Sequence, residues 1–308
     1  MVPGNRQTVL QMSTLFELDF GLGLAIYIMI PVFITGVVGF CFFIDNYIAK
    51  YRKQIRQRAN APRRLRCKIA YFSEKGARPK QEDSYYISPM KQSADNGVIC
   101  VVSDGIGGLT HGDEVSAIVT ERIAEAAPMD FDDTENNSTI LRGISRDIYN
   151  KYKLEGGATL AMVHIKNDYM NIYSCGDSNI ILIRNRKAIM LNSKQNYLSL
   201  LINKAAGNGE VTKGCYLDKD ARALVDFMGN SFSRVNRTCK PIRLFNGDYI
   251  IVSSDGITDA IPLHKIPHYL QKSAFTFAER LKFTIRSSRR PSQDNYTAVV
   301  IKMEFDLF

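Results

Sequence analysis

Four aspartates stand at the ends of apolar runs, where a side chain can be held rigidly and still be reached. Val98 to Val102 leads into Ser103-Asp104-Gly105-Ile106-Gly107-Gly108, and Tyr249 to Val252 leads into Ser253-Ser254-Asp255-Gly256. Asp294 comes just before the apolar run Tyr296 to Ile301, and Asp83, with Glu82 beside it, opens the short run ending at Ile87. Strand, carboxylate, glycine turn is a way to fix one oxygen ligand while the backbone comes close to something small. Should these carboxylates converge, their repulsion costs several kcal/mol per pair even with generous screening, and a divalent cation relieves it. Oxygen donors without neighbouring His or Cys favour Mg²⁺ or Mn²⁺ over zinc. Two such ions about 3.5–4 Å apart hold and acidify a water and stabilise in-line attack on phosphorus. Arg78, five residues before Asp83, offers a rigid fork for phosphate oxygens. Each residue alone has a plain explanation, a turn for Asp-Gly or a solvated surface charge for Arg78. Their order and setting carry the argument.

The elements that must position them are strands in quick succession. Cys67 to Phe72, Ser84 to Ile87 and Val98 to Ser103 read as strands, as do Thr159 to Lys166, Tyr169 to Ser174, Asn179 to Arg184 and Lys187 to Leu191. The links Asn167-Asp168 and Asn185-Arg186 are short and turn-prone, as in antiparallel hairpins. Helical faces run over Glu114 to Ala127, stopped by Pro128, over Ile140 to Tyr152, and over Phe275 to Ser287. Asn192 to Asn246 has weak periodicity and predicts irregular structure with one short helix; Tyr249 to Ser254 and Tyr296 to Glu304 complete the strands. Hairpins with paired helices point to an α+β layered sandwich rather than a parallel doubly wound sheet.

Phe20 to Ile44 is a run of 25 residues without a charge, longer than the roughly 20 needed to cross a bilayer core. Nine Lys or Arg and no acid lie between Lys50 and Lys68, which accounts for the whole net charge of +9. Basic residues after the span place the C-terminal bulk in the cytoplasm, and the flank attracts anionic lipid headgroups. No zinc-finger spacing or basic recognition helix accompanies the charge, so nucleic acid is not expected as a partner. The expected division is a short extracytoplasmic stretch over 1–19, a transmembrane helix over 20–44, a basic juxtamembrane linker over 45–68 and a domain over 69–308. The six cysteines show no CxxC pair and read as reduced thiols. His264 and His268 read as surface histidines, and the Asn-x-Ser/Thr triplets starting at Asn136, Asn137, Asn236 and Asn295 as chance.

The domain resembles the metal-dependent Ser/Thr protein phosphatases of the protein phosphatase 2C type, bacterial members in particular. The matches run in family order: Arg78-Pro-Lys-Gln-Glu-Asp83, Ser103-Asp-Gly-Ile-Gly-Gly108 with Gly112-Asp-Glu114, Gly156-Gly-Ala-Thr159, Cys175-Gly-Asp-Ser178, Ser254-Asp-Gly-Ile-Thr-Asp259 and Asp294-Asn295. The resemblance implies a four-layer α-β-β-α sandwich of two antiparallel sheets flanked by helix pairs, with two Mg²⁺ or Mn²⁺ ions, and room for a third, in a cleft at one end. It implies that Asp104 bridges the ions with the Gly105 carbonyl as a further ligand, and that Asp255 and Asp294 hold one ion. Glu82 would hold the other, directly or through water, with Asp83 as a ligand or a support behind one. Arg78 would bind the substrate phosphate, while Asp177 and Asn295 would support strand ends. A phosphorylated protein is the implied substrate, and an opposing Ser/Thr kinase a further partner.

The sequence also departs from the family. Ile106 stands where many eukaryotic members carry a His proposed as general acid, and His111 matches no known donor. Leu191-Asn-Ser-Lys-Gln-Asn196 replaces a threonine-rich segment, and only proximity marks Glu155 and Asp226 as acids for a third ion. The competing reading is a pseudophosphatase that holds phosphoproteins at the membrane without turnover. Retention of Arg78, Asp83, Asp104, Asp255 and Asp294 argues against it.

Overall fold

The computed structural model describes residues 35–37, 39–52, 65–89, 96–207 and 220–305. The expected stretch 1–19, most of the expected span 20–44 and part of the basic linker lie outside the described residues. The chain divides into two units, Met1–Pro62 with Phe308, and Arg63–Leu307. In the first, residues 39–52 are helical and expose Phe40, Phe42, Phe43 and Tyr47. Among the described residues, no helix is long and apolar enough to cross a membrane.

The second unit is built on two antiparallel sheets. One has the strand order β1 (Leu65–Glu74), β11 (Tyr296–Phe305), β10 (Tyr249–Ser253), β6 (Asn179–Arg184), β7 (Lys187–Met190). The other has the order β2 (Asp83–Ile87), β3 (Val98–Asp104), β4 (Leu160–Lys166), β5 (Tyr169–Cys175), β8 (Asn236–Arg237), with β9 (Ile242–Arg243) also paired to β5. Alternation along each strand sorts side chains between two cores. Val98, Cys100 and Val102 of β3 meet Ile250 and Val252 of β10 and Val299 and Ile301 of β11 between the sheets. Ile99 and Val101 turn outward and pack under α1 (Gly112–Ala126) and α2 (Thr134–Tyr152), against Val115, Val119, Leu141 and Ile148. Tyr249, Ile251, Ala298 and Val300 pack under α5 (Ala274–Ser287), chiefly on Phe277 and Leu281. Covering both faces explains why the inner strands are apolar throughout.

The order is helix, sheet, sheet, helix, as expected, but only one side carries a pair of long helices. Over the other sheet α5 is joined by the short α4 (Asp255–Ala260) and a 3₁₀ turn (Leu263–Tyr269), because Pro262 and Pro267 prevent a second long helix. Helix α2 starts six residues before the expected Ile140, since the Asp133 side chain accepts from the Asn136 N–H and caps it. The region expected to be irregular holds one helix, α3 (Tyr197–Gly207), and the two-residue strands β8 and β9; residues 208–219 lie outside the described set. Strand β1 starts at Leu65, four residues before the expected domain edge, because its whole length pairs with β11. Both His264 and His268 are exposed.

Candidate active site

The exits of β3 and β10, the entry of β2 and the loop before β11 open at the same end of the sandwich. Asp83 lies directly opposite Asp104 in the β2–β3 ladder. Asp104 is fixed at the backbone by Thr159, whose N–H donates to the Asp104 carbonyl at 2.8 Å and whose hydroxyl accepts from the Asp104 N–H at 3.0 Å. The Gly105 N–H donates to the Glu82 carbonyl at 3.0 Å, which ties the two acid-bearing turns together. Gly105 is required by space: a Cβ there would stand 2.4 Å from the Gly112 carbonyl oxygen.

Electrostatics show that the acids share one region. Burial first, then the negative charges of Asp83, Asp255, Asp177 and Asp294, hold the Asp104 carboxyl well above the usual carboxylate range. Burial pushes Asp83 up to about 6, opposed by the Ser254 hydroxyl, which donates to Oδ2 at 2.7 Å. Burial and the charges of Asp177 and Asp259 push Asp255 up to about 7, with the Lys194 ammonium pulling it down. The Asp83 Oδ1 is buried and accepts no hydrogen bond.

Arg78 faces this acidic end. Its guanidinium donates to Asp294 Oδ2 at 2.6 Å, and the charges of Asp294, Glu82 and Asp104 hold it above its ordinary value. The pair is partly open to solvent, with the two side chains 45% and 37% exposed. Asn295 fastens the loop that carries Arg78 and Glu82: its Oδ1 accepts from the Glu82 N–H at 2.9 Å, and its Nδ2 donates to the carbonyls of Lys75 and Lys80. That buried carboxamide leaves no room for a glycan, so the Asn295 triplet is chance.

Arg78, Glu82, Asp83, Asp104, Gly105, Asp255 and Asp294 are therefore brought to one end of the sandwich. Within it, no group of three or more His, Cys, Asp or Glu side chains among the described residues is drawn close enough to hold one metal ion. Asp294 is turned to Arg78 and Asp83 to Ser254. The donor set nevertheless fits a hard cation: it is all oxygen, its charges repel across a shielded space, and one buried carboxylate oxygen lacks a donor. His111 turns away, with its Nδ1 3.4 Å from the Glu114 carboxylate and its ring against Tyr152. Asp226 accepts from the Phe227 and Arg234 N–H groups and stabilises a turn, while Glu155 is exposed. Sequence reasoning missed the parts of Ser254 and Lys194. A serine before each Asp-Gly was visible, but its hydrogen-bond partner lies 171 residues away.

The fold agrees with the comparisons. None of the curated proteins matches in sequence. Among solved structures, the domain is similar to the Mycobacterium tuberculosis serine/threonine phosphatase PstP, at 21% identity and TM-score 0.64 over 78% of this chain and 99% of that one. It is also similar to the serine/threonine phosphatase Stp1 from Staphylococcus aureus, at 19% identity and TM-score 0.67 over 78% and 96%. A third is the PstP catalytic domain in complex with two manganese ions, at 20% identity and TM-score 0.62 over 78% and 99%. At these identities the likeness speaks for the fold. The sequence profile described as protein phosphatase 2C matches residues 79–296, well over half the chain and the whole span from the Arg78 loop to β11. The chain belongs to the protein phosphatase 2C family of serine/threonine protein phosphatases.

Proposed function

We propose that the protein is a membrane-anchored, metal-dependent phosphatase of phosphoserine and phosphothreonine in proteins. The observation that carries the enzymatic part is the gathering of Asp83, Asp104, Asp255 and Asp294, from the strand ends of both sheets, beside the solvent-accessible Arg78. Glu82, Asp83, Asp104, the Gly105 carbonyl, Asp255 and Asp294 are the groups that would hold two Mg²⁺ or Mn²⁺ ions. When bound, those ions supply Lewis-acid activation of the attacking water and neutralise charge on the phosphoryl oxygens. Arg78 donates to the substrate phosphate and orients it; its planar fork can serve phosphate oxygens while one nitrogen stays on Asp294. Thr159, Ser254 and Asn295 keep the acid-bearing turns in register, so that little reorganisation is needed during the reaction.

The membrane part rests on residues 20–44 as a span with the basic stretch 45–68 on its cytoplasmic side, where anionic lipids would hold it. The aromatic exposure of residues 40–47 supports this reading, since such side chains favour a membrane interface over water. With the domain on that side, the substrates are phosphoproteins at the inner membrane face, and a Ser/Thr kinase is the natural opposing partner.

The test is hydrolysis of p-nitrophenyl phosphate and of a phosphothreonine peptide by the full chain in detergent. We expect Mn²⁺-dependent turnover that EDTA removes and Asp104→Asn nearly abolishes. Turnover unchanged by EDTA would overturn the mechanism. Phosphopeptide binding without turnover at any metal concentration would favour the scaffold reading.

A further inference from the structure

A cavity of about 360 Å³ opens beside the loop that carries Arg78. Four cationic residues line it, Lys75 from that loop and Arg286, Arg289 and Arg290 from the end of α5 and the turn after it, against one carboxylate, Glu74. Tyr296 supplies part of the apolar wall. Arg290 is partly engaged, because it donates to the carbonyls of Asp259 and Ala260 at the end of α4. Lys75, Arg286 and Arg289 are exposed and form no salt bridge among the described residues. Four cations held around a concave surface with a single carboxylate among them repel one another on balance, and a bound anion relieves that repulsion.

The cavity is tied to the reacting end of the molecule through the backbone. Ala77, which lines it, donates its N–H to the Gln293 carbonyl at 2.8 Å, and the residues that follow this pair are Arg78 and Asp294. Gly76 lies against Asp294 so closely that a Cβ would stand 2.3 Å from its carbonyl oxygen. The wall residue Ala77 is therefore the immediate chain neighbour of Arg78. An extended peptide advances about 3.3 Å per residue, so a side chain a few residues from the scissile phosphoester reaches the cavity.

We propose that this cavity is a second anion subsite, which selects phosphoproteins with acidic residues near the phosphoserine or phosphothreonine. It rests on the phosphatase reading of the neighbouring acidic site. Concavity and the shared backbone favour a peptide over a lipid surface. Two phosphoserine peptides, one with glutamates flanking the phosphoserine on both sides and one with glutamines there, would be compared on the full chain and on Arg286→Gln/Arg289→Gln. The KM ratio between peptides is taken within each protein, so a general loss of activity cancels. We expect wild type to favour the glutamate peptide by about fivefold at low salt, declining as ionic strength rises. The double variant should bring the ratio near one, and Lys75→Gln, made separately in case the double variant misfolds, should reduce it part way. A ratio near one in wild type, or one unchanged in both variants, overturns the proposal. So does loss of binding to phosphatidylserine vesicles in the double variant with peptide selection intact, which would assign the patch to lipid. Hydrolysis of p-nitrophenyl phosphate by wild type tests the phosphatase reading separately. If that fails, the same peptide ratio is read as Kd by fluorescence anisotropy.

Discussion

The exits of β3 and β10 carry the same four residues, Ser-Asp-Gly-Ile, at the inner strands of opposite sheets, yet the fold uses them differently. After Gly105 the chain runs through an open, glycine-rich loop before α1 begins at Gly112, and Gly107 and Gly108 are exposed. After Ser254 the chain is helical at once, because α4 begins at Asp255 itself. The Ser103 hydroxyl donates to the carbonyl of Thr159, the residue just before the adjoining strand of its own sheet. The Ser254 hydroxyl donates to Asp83 in the opposite sheet and accepts from the Thr297 N–H in its own. One turn leaves its acid among the most other acids beside an open loop; the other locks the two sheets together. A shared motif marks a shared position at a strand end, and the hydrogen bond of its first residue decides the role.

The largest test of that difference is catalytic. Asp104→Asn should lower kcat by about 10³-fold, as expected when several kcal/mol of charge stabilisation is removed, and Asp255→Asn by about tenfold less. Equal losses in steady-state assays would make the two turns interchangeable in function. The next test is steric. Neither Gly105 nor Gly256 has a left-handed φ, but a Cβ at Gly256 would stand 2.1 Å from the Asn295 carbonyl oxygen, against 2.4 Å from the Gly112 carbonyl oxygen at Gly105. Both alanine variants should lose roughly 1–3 kcal/mol, Gly256→Ala the more, seen as a fall in Tm of about 2–4 °C per kcal/mol. Gly107→Ala, whose Cβ meets the movable ends of the Arg78 and Glu82 side chains, should leave Tm unchanged and raise KM.

Ser254→Ala should cost more than Ser103→Ala in urea unfolding. It strands a buried carboxylate oxygen and a buried N–H together, at about 1–3 kcal/mol each, whereas Ser103→Ala strands one carbonyl. The smallest effect is one of pH. Asp255 and Asp83, pushed up to about 7 and about 6, compare with about 3.9 in the unfolded chain, so between those values the folded chain binds more protons. Stability in EDTA therefore rises as pH falls from about 8 toward 5, the sign opposite to that of a salt-bridged acid. His164, buried with its ring nitrogen on the Asn96 carbonyl and held below its ordinary value by burial, works the other way below about 6.5. Wild type and Asp255→Asn share His164, so a smaller rise of Tm in the variant isolates the Asp255 contribution, and an identical slope would remove it.

These features were unequally legible in the sequence. The inner strands were readable because both faces are covered and their residues are apolar throughout, and the acids stood out at their ends. Helix α4 was missed because a helix that starts on the acid of an Asp-Gly has no approach of its own to mark it. The early start of α2 was hidden in a polar first turn, Thr134 to Asn137, which only the Asp133 cap makes helical. Among the site residues, Arg78 was visible only by its spacing from Asp83. The inter-sheet role of Ser254 and the closeness of Lys194 to Asp177 and Asp255 arise from tertiary contacts that local pattern does not encode.

Strand β11 lies inside its sheet, between β1 and β10, and the loop just before it carries Asp294 and the amide that fastens the Arg78 loop. During synthesis, nascent chain from β1 to β10 can emerge with a gap in the middle of that sheet, and residues near 78 have nothing to be fastened to until those near 295 arrive. A chain that stops short of Asn295 lacks the amide that fastens the Arg78 loop and should show no turnover.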